Sequence, residues 1–293
     1  MLGTLRKYKR YYKMATSRSS LCYHSICGDT EPQAHTHEVS FRVFKKQVLW
    51  MQRSRNLVAA NSTSWQSVSN PVAVTFDDAY LNILDEALPF LMQRGIPVTV
   101  FANASTLEGK SLWRDELRLV LDVELESELV QRLPSDWGIT TKNLYFRSKS
   151  PQINSSQFEE ILSAFVIEKG LGRKNRLYMN QEELRQLSSE SGFTIGNHSL
   201  NHYVLSSLSK VEQKKEIEQG GAALRALDVE VSDFFAAPFG NYNTVNQDTL
   251  NILDSLGYKG LLLTNGMGPV DRSQLNLSDR GLTVTNRYLP PNA

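Results

Sequence analysis

The stretch "NPVAVTFDDAYLNILDEALPFLMQRGIPVTVFAN", residues 70–103, constrains the fold more than any other part of the chain. The apolar, β-branched run Val72–Phe76 reads as a buried strand. A helical pattern follows from about Tyr80 to Arg94 and stops at Gly95, and "IPVTVFAN" is a second strand. Strand, helix and strand at this spacing form a βαβ unit, which calls for parallel pairing and a crossover helix. The first strand ends in two adjacent carboxylates, Asp77 and Asp78. Neighbouring like charges repel, and at the end of a buried strand each needs water or a cation.

The same alternation recurs on both sides. "SSLCYHSIC" opens with a β-like run, and "SFRVFKKQVLWMQRSR" places Phe41, Phe44, Val48 and Met51 on one helical face, with Ser40 as its cap. After residue 180, helix "NQEELRQLSSES" (cap Asn180), strand "GFTIGN", helix "SKVEQKKEIEQGGAALRAL" and strand-turn "SDFFAAPFG" follow one another. Helix "TVNQDTLNILDSLG", strand "KGLLLT" and the extended piece "RGLTVTN" complete the series. Residues 105–180 break the rhythm: "LWRDELRLVLDVELESELVQRL" reads as helix, "KNLYFRS" as an exposed strand and "SSQFEEILSAFVIEKG" as helix. The expected class is α/β, an irregular (β/α)7-type barrel with a helical and extended insertion at about 105–180 that shapes a cleft. Residues 1–18 form a basic tail and 19–293 a single barrel domain, with chemistry expected at the C-terminal ends of the strands.

Composition narrows the class of partner. Lys and Arg number 32 against 31 Asp and Glu, a net charge of +1 that gives no reason to expect nucleic acid. Cys22 and Cys27 lie at an odd offset in a strand-like segment, so they point to opposite faces and are expected to be reduced rather than bonded to each other. The N-terminal segment carries Arg6, Lys7, Lys9, Arg10 and Lys13 without an apolar stretch behind them. It is either a solvated tail or a weak contact with an anionic membrane surface. No run approaches the length of about 20 apolar residues that a membrane span requires. Of five N-x-S/T sequons, one begins at Asn197, where a glycan would block the motif described next. The expectation is a cytoplasmic protein, peripheral to the membrane at most, with no protein partner indicated.

The second chemical signal is "IGNHSLNHYVL", in which His198 and His202 follow a strand at i, i+4. On a helical turn that spacing sets both imidazoles on one side, able to share a cation; alone, they could equally be polar turn residues. A divalent cation held by two imidazoles needs an anionic ligand and an open position to be catalytic. A carboxylate from another strand end supplies the first. A second carboxylate beside it can act on the cation's water, which gives the doubled aspartate a physical purpose.

These residues resemble the polysaccharide deacetylases, carbohydrate esterase family 4. "TFDDAY" is similar to the first motif, T-F-D-D-G-[YF], "HSLNH" to the second, H-[ST]-x-x-H, and "FFAAPFGNYN" to the third, whose core is R-x-P-[FY]-G. The flanking helices and strands look like that family too, outside the insertion and both ends. The resemblance implies that Asp78, His198 and His202 ligate a divalent metal, commonly zinc, with cobalt, nickel or manganese as alternatives. It implies Asp77 as the base for the metal's water, and a loop shaped by Pro238, Phe239 and Gly240 whose backbone N–H helps hold an oxyanion. Without the other motifs, "APFGNYN" would be an ordinary turn.

The chain also departs from the pattern. Ala79 replaces the first motif's Gly, which is tolerable if that backbone stays at negative φ. Ala236 stands where much of the family has an Arg bracing the catalytic Asp, and no histidine follows His202 to serve as the family's usual general acid. His24, in "LCYHSI", is the candidate acid: the branch of the family acting on biofilm polysaccharides has a Tyr-His there, and first and last strands are neighbours in a closed barrel. A His satisfied by backbone is the alternative. Arg287, in "VTNRYLP", is the candidate support for Asp77, or else a surface residue. His35 and His37 read as solvated.

The expected function is metal-dependent removal of an N-acetyl group from a sugar or polysaccharide precursor, lipid- or nucleotide-linked, in surface polysaccharide assembly. The alternatives are an O-acetyl esterase, an amidohydrolase of small cyclic amides, and an inactive glycan-binding relative.

Overall fold

A computed structural model describes residues 19–29, 37–275 and 281–291; the basic N-terminal tail and His35 fall outside them. Seven strands close into an all-parallel barrel: β1 (Ser20–Tyr23), β2 (Val74–Asp77), β3 (Val98–Ala102), β4 (Phe193–Asn197), β5 (Val231–Ala236), β6 (Gly260–Leu263) and β7 (Thr283–Tyr288). Each pairs with its neighbour in chain order, and β1 closes the ring by pairing with both β2 (Cys22 opposite Thr75) and β7 (Ser20 opposite Arg287). The (β/α)7-type barrel expected from the alternation is the architecture found.

Helices α1 (Phe41–Gln52), α2 (Ala87–Gln93), α3 (Trp113–Asp122), α4 (Ser155–Glu168), α5 (Gln181–Ser189), α6 (Lys210–Arg225) and α7 (Gln247–Ser255) surround or extend the barrel. Asn180 and Glu183 form a reciprocal capping box that starts α5, and Ser209 with Glu212 does the same for α6. Ser40 occupies the N-cap of α1 but makes no side-chain capping bond. The buried face of α1, including Phe44 and Val48, joins Tyr23 of β1 and Phe76 of β2 in the largest apolar cluster. The Phe44 ring lies edge-on to Tyr23 at 4.9 Å.

Three local expectations change. The helix expected from about Tyr80 to Arg94 is split into a 3-10 turn at Leu81–Leu84 and α2. Pro89 cannot donate a hydrogen bond to the preceding turn, so the α-helix begins where Pro89 falls in its first turn. The long helix expected at the start of the insertion breaks after Asp122, where Glu124 takes a φ of 57°, and resumes as Glu126–Val130. "KNLYFRS" contains a short helix, Leu144–Arg147, rather than a strand. Leu144 is buried there against a second apolar cluster that includes Trp113, Leu117, Phe158 and Leu162, so tertiary burial overrides the aromatic β preference. The insertion thus has its own core, and α3 sits at the barrel mouth. Cys22 and Cys27 are both buried and unbonded to each other.

Candidate active site

Alternation along β2 turns Val74 and Phe76 to the helix layer and Thr75 and Asp77 to the barrel interior. The chain then enters the left-handed region at Asp78 (φ 67°) and Ala79 (φ 52°). The condition under which Ala79 would be tolerated, a negative φ, is not met: a Cβ is carried in a conformation that favours glycine. The kink also sends the two neighbouring carboxylates to different partners.

Asp77 accepts two hydrogen bonds from Arg287, from Nη1 at 2.5 Å and Nη2 at 2.7 Å, while Nη1 also donates to Thr75 Oγ1 at 3.2 Å. Both residues are buried, Arg287 completely. The Cys22 thiol donates to the same carboxylate at 3.3 Å. Burial opposes ionisation of Asp77, but the Arg287 charge and its hydrogen bonds, with His198 and His24, hold the carboxyl well below the usual range. Arg287 reaches Asp77 because β7 closes the barrel within reach of β2 across β1.

Asp78 faces the other way. Its Oδ1 is 3.5 Å from His198 Nε2 and 3.4 Å from His202 Nε2, and neither carboxylate oxygen has a hydrogen-bond partner. All three side chains are buried. Ligand bonds of about 2.0–2.1 Å at tetrahedral angles place donor atoms about 3.3–3.4 Å apart, so these separations fit one small divalent cation. His198 Nδ1 donates to the Ala236 carbonyl at 2.8 Å, which fixes its ring and leaves Nε2 as the ligating atom. Burial pushes the Asp78 carboxyl up to about 6, with Arg114 and His198 pulling it down and Asp77 pushing it up. The buried, hydrogen-bond-orphaned carboxylate is the kind of group a cation satisfies.

The two histidines do not lie on a helical turn, as their spacing suggested. "HSLNH" is a loop after β4 with Ser199 at φ 70° and His202 at φ 60°. Its shape comes from side chains: Ser199 Oγ accepts from the His202 N–H at 3.0 Å, and Asn197 Oδ1 accepts from the Ser199 N–H at 2.9 Å. Asn197 Nδ2 in turn donates to the Ile217 carbonyl and the Tyr258 hydroxyl. Asn103 Nδ2 donates to the His198 carbonyl.

His24 interrupts the strand after β1, buried, with Nδ1 lacking a hydrogen-bond partner. One ligand atom from each of His24, Cys22 and Asp77 lies within 4.8 Å of the others. Burial pushes the His24 imidazole well below its ordinary range, and His37, Arg114 and His198 add to the effect against Asp77. His37 is exposed as expected, yet its ring stands 5.1 Å from that of His24 and lines the same pocket.

The loop after β5 carries Pro238, Phe239 (φ 61°) and Gly240 (φ 58°). Thr264 clasps it, its N–H donating to the Gly240 carbonyl at 2.6 Å and its hydroxyl to the Phe239 carbonyl at 2.7 Å. A Cβ on Gly240 would lie 2.4 Å from Thr264 Oγ1, so glycine is required by both space and conformation. The Phe239 ring packs edge-on against His202 at 4.8 Å.

Three consecutive residues of α3, which the motifs did not reveal, complete the mouth. Trp113 Nε1 donates to the His202 carbonyl at 3.0 Å. Arg114 Nη1 lies 3.4 Å from His202 Nε2 and 3.7 Å from Asp78 Oδ2. Asp115 accepts from the hydroxyls of Tyr80, at 2.8 Å, and Tyr178, tying the insertion to the strand end that carries Asp78.

A sequence model of the polysaccharide deacetylase family matches residues 160–261, a stretch that includes His198, His202 and the Pro238–Gly240 loop. No curated protein sequence matches the chain. Among solved structures it is similar to the Streptococcus pyogenes deacetylase PplD (TM-score 0.57, 15% identity, 92% of this chain and 91% of that one). It is also similar to a de-N-acetylase from Aggregatibacter actinomycetemcomitans (TM-score 0.55, 13% identity, 94% and 95%). IcaB from Ammonifex degensii has a TM-score of 0.53 at 14% identity, over 92% and 90% of the two chains. At these identities the structural likeness is one of fold. The chain thus shares the barrel fold of these deacetylase structures, and its residues 160–261 are similar to the polysaccharide deacetylase family.

Proposed function

We propose that this protein hydrolyses an N-acetyl group from a sugar, with Asp78, His198 and His202 holding a divalent cation, zinc before other metals. The observation that carries the proposal is the division of labour between adjacent carboxylates. Asp78 is orphaned among two imidazoles at ligand-like separations, and Asp77 is locked as an anion by Arg287. A cation in that site would supply water activation and polarisation of the acetyl carbonyl.

The protein's own groups then act on protons and position. Asp77 is the proton acceptor. Its pairing with Arg287 makes it a weak base, so its contribution is a fixed, always ionised acceptor rather than intrinsic basicity. His24 lies within 4.8 Å of that carboxylate and is the proposed donor to the leaving amine. Burial disfavours the charge of an imidazolium there, so the neutral ring has to gain a proton before it gives one to the leaving amine. Arg287 supplies from the last strand the brace that Ala236 cannot supply from β5. Pro238, Phe239 and Gly240 shape the loop at which the oxyanion is held, and Phe239 also packs on His202.

On the family resemblance, the substrate is a lipid- or nucleotide-linked sugar, or a polysaccharide precursor, used in surface polysaccharide assembly in the cytoplasm. No helix among the described residues is long and apolar enough to cross a membrane. Asn197 is buried and hydrogen-bonded, so the folded chain cannot carry a glycan there. The test is metal analysis of protein purified without chelator, followed by assay of acetate and free amine from N-acetylhexosamine oligosaccharides. Bound metal with stoichiometric release of both products is expected; protein that neither retains nor responds to divalent metal would sink the mechanism.

A further inference from the structure

The mouth above the candidate metal triad is walled by basic side chains whose potential counter-charges are already engaged. Arg114, from α3, has its Cζ 5.7 Å from the centre of the Phe239 ring. Lys149, which follows the short helix Leu144–Arg147, has its Nζ 5.9 Å from the same ring and 3.5 Å from the Tyr145 ring. The pocket beside Arg114 is lined by His24 and His37, with Tyr80, Asp115, Arg118 and Tyr145 around them.

The acids nearby already have partners, and none of them reaches Lys149. Asp77 is paired in bidentate fashion with Arg287, Asp115 accepts from the hydroxyls of Tyr80 and Tyr178, and Asp78 faces the two imidazoles with its Oδ2 3.7 Å from Arg114 Nη1. Among the described residues Lys149 has no carboxylate within ion-pair distance. Its ammonium is pushed down by burial and by repulsion from Arg114, and desolvation of the His37 ring against the pocket, with both cations, pushes that group down too. Cations that repel one another in a partly desolvated pocket are costly unless an anion joins them. A divalent cation in the triad below would increase that need.

We propose that the space between Arg114 and Lys149 is a subsite for an anionic group, a phosphate or a carboxylate, carried by the substrate sugar. A guanidinium offers a planar pair of donors and an ammonium a point charge, the combination suited to either oxyanion. The proposal rests on the deacetylase reading only for the identity of the sugar; the anion site stands on the side chains themselves. It assigns the insertion a role in choosing substrates, since both cations belong to residues 105–180.

The test compares N-acetylglucosamine 1-phosphate, N-acetylmuramic acid and methyl N-acetylglucosaminide, which offer a phosphate, a carboxylate and no charge. Turnover is measured with the metal-loaded wild type, and binding by calorimetry with metal-loaded Asp77→Asn protein. A charge-assisted contact predicts about a tenfold lower KM and Kd for at least one anionic sugar than for the neutral one. The anionic sugar that gains the advantage identifies the group. Lys149→Met should remove most of that preference through KM, with kcat retained, and Lys149→Arg should keep it. Raising the salt concentration should weaken the advantage. Equal KM and Kd for all three sugars in the wild type would overturn the subsite, as would a Lys149→Met loss shared equally by the neutral sugar. Lys149-dependent binding without acetate release would overturn the deacetylase reading and leave the subsite standing. Acetate release without any anion preference would do the reverse.

Discussion

Replacing Arg287 with Met should be the most damaging single change outside the candidate ligand set. The guanidinium is fully buried and makes both of its short contacts to Asp77, which is itself buried. Met fills a similar volume but leaves a carboxylate with no cation paired to it, beside the Cys22 thiol and the His198 and His24 rings. Breaking a buried ion pair from one side costs about 3–5 kcal/mol, so urea unfolding at pH 7 should show a loss of that order. The sign of its pH dependence follows from Asp77. In the wild type the carboxyl is depressed, so its contribution is present above the unfolded value of about 3.9 and is lost as pH falls toward the folded value. In Arg287→Met burial dominates and the carboxyl is raised, so the variant is penalised at neutral pH and relieved as pH falls. The stability gap should therefore shrink steadily toward pH 4. The double variant Asp77→Asn/Arg287→Met should lose less than the sum of the single changes, because it removes both charges. A loss below about 1 kcal/mol at pH 7, the range of an exposed pair, or a gap that does not change with pH, would refute this account of the pair.

Other outcomes test the site piece by piece. Wild-type protein should be stabilised by added zinc, by about 2.7 kcal/mol at a hundredfold excess over Kd, and His202→Ala should lose both that gain and the bound metal by elemental analysis. Because Asp78 must be ionised to ligate and burial pushes it up to about 6, metal retention should fall as pH drops through that value. His24→Ala should spare acetate release from activated esters while removing it from N-acetyl sugars, since only the amide needs a protonated leaving group; equal loss on both would remove His24 from that role. Gly240→Ala should lower both the unfolding midpoint and activity, by more than the 1–2 kcal/mol of left-handed strain alone, because the new methyl meets Thr264.

The barrel was legible because strand and helix periods alternate with little ambiguity outside the insertion, and because parallel closure brings the first and last strands together. That topology is also what allowed Arg287 to be named from sequence as a partner for Asp77. The Asp77–Asp78 and His198–His202 pairs were visible through residue type and spacing. The backbone that aims them was not. Left-handed residues at Asp78, Ala79 and His202 are unfavourable in isolation and are imposed by tertiary bonds such as those of Ser199 and Asn197. Trp113, Arg114 and Asp115 were hidden for a related reason. Their helix is read from its apolar period, which says nothing about which exposed-looking positions dock on a distant loop. The mistaken strand at "KNLYFRS" has the same origin, since burial of Leu144 in the insertion's core decides its conformation.

The central claim is that Asp78 holds the cation while Asp77, one residue earlier, handles the proton. The most direct measurement is acetate release from an N-acetylhexosamine oligosaccharide by Asp77→Asn protein whose zinc content has been matched to the wild type. The account predicts undiminished zinc and a rate lower by about 10²–10⁴-fold, the contribution of a positioned proton acceptor. A zinc-loaded Asp77→Asn protein that releases acetate at the wild-type rate would contradict it.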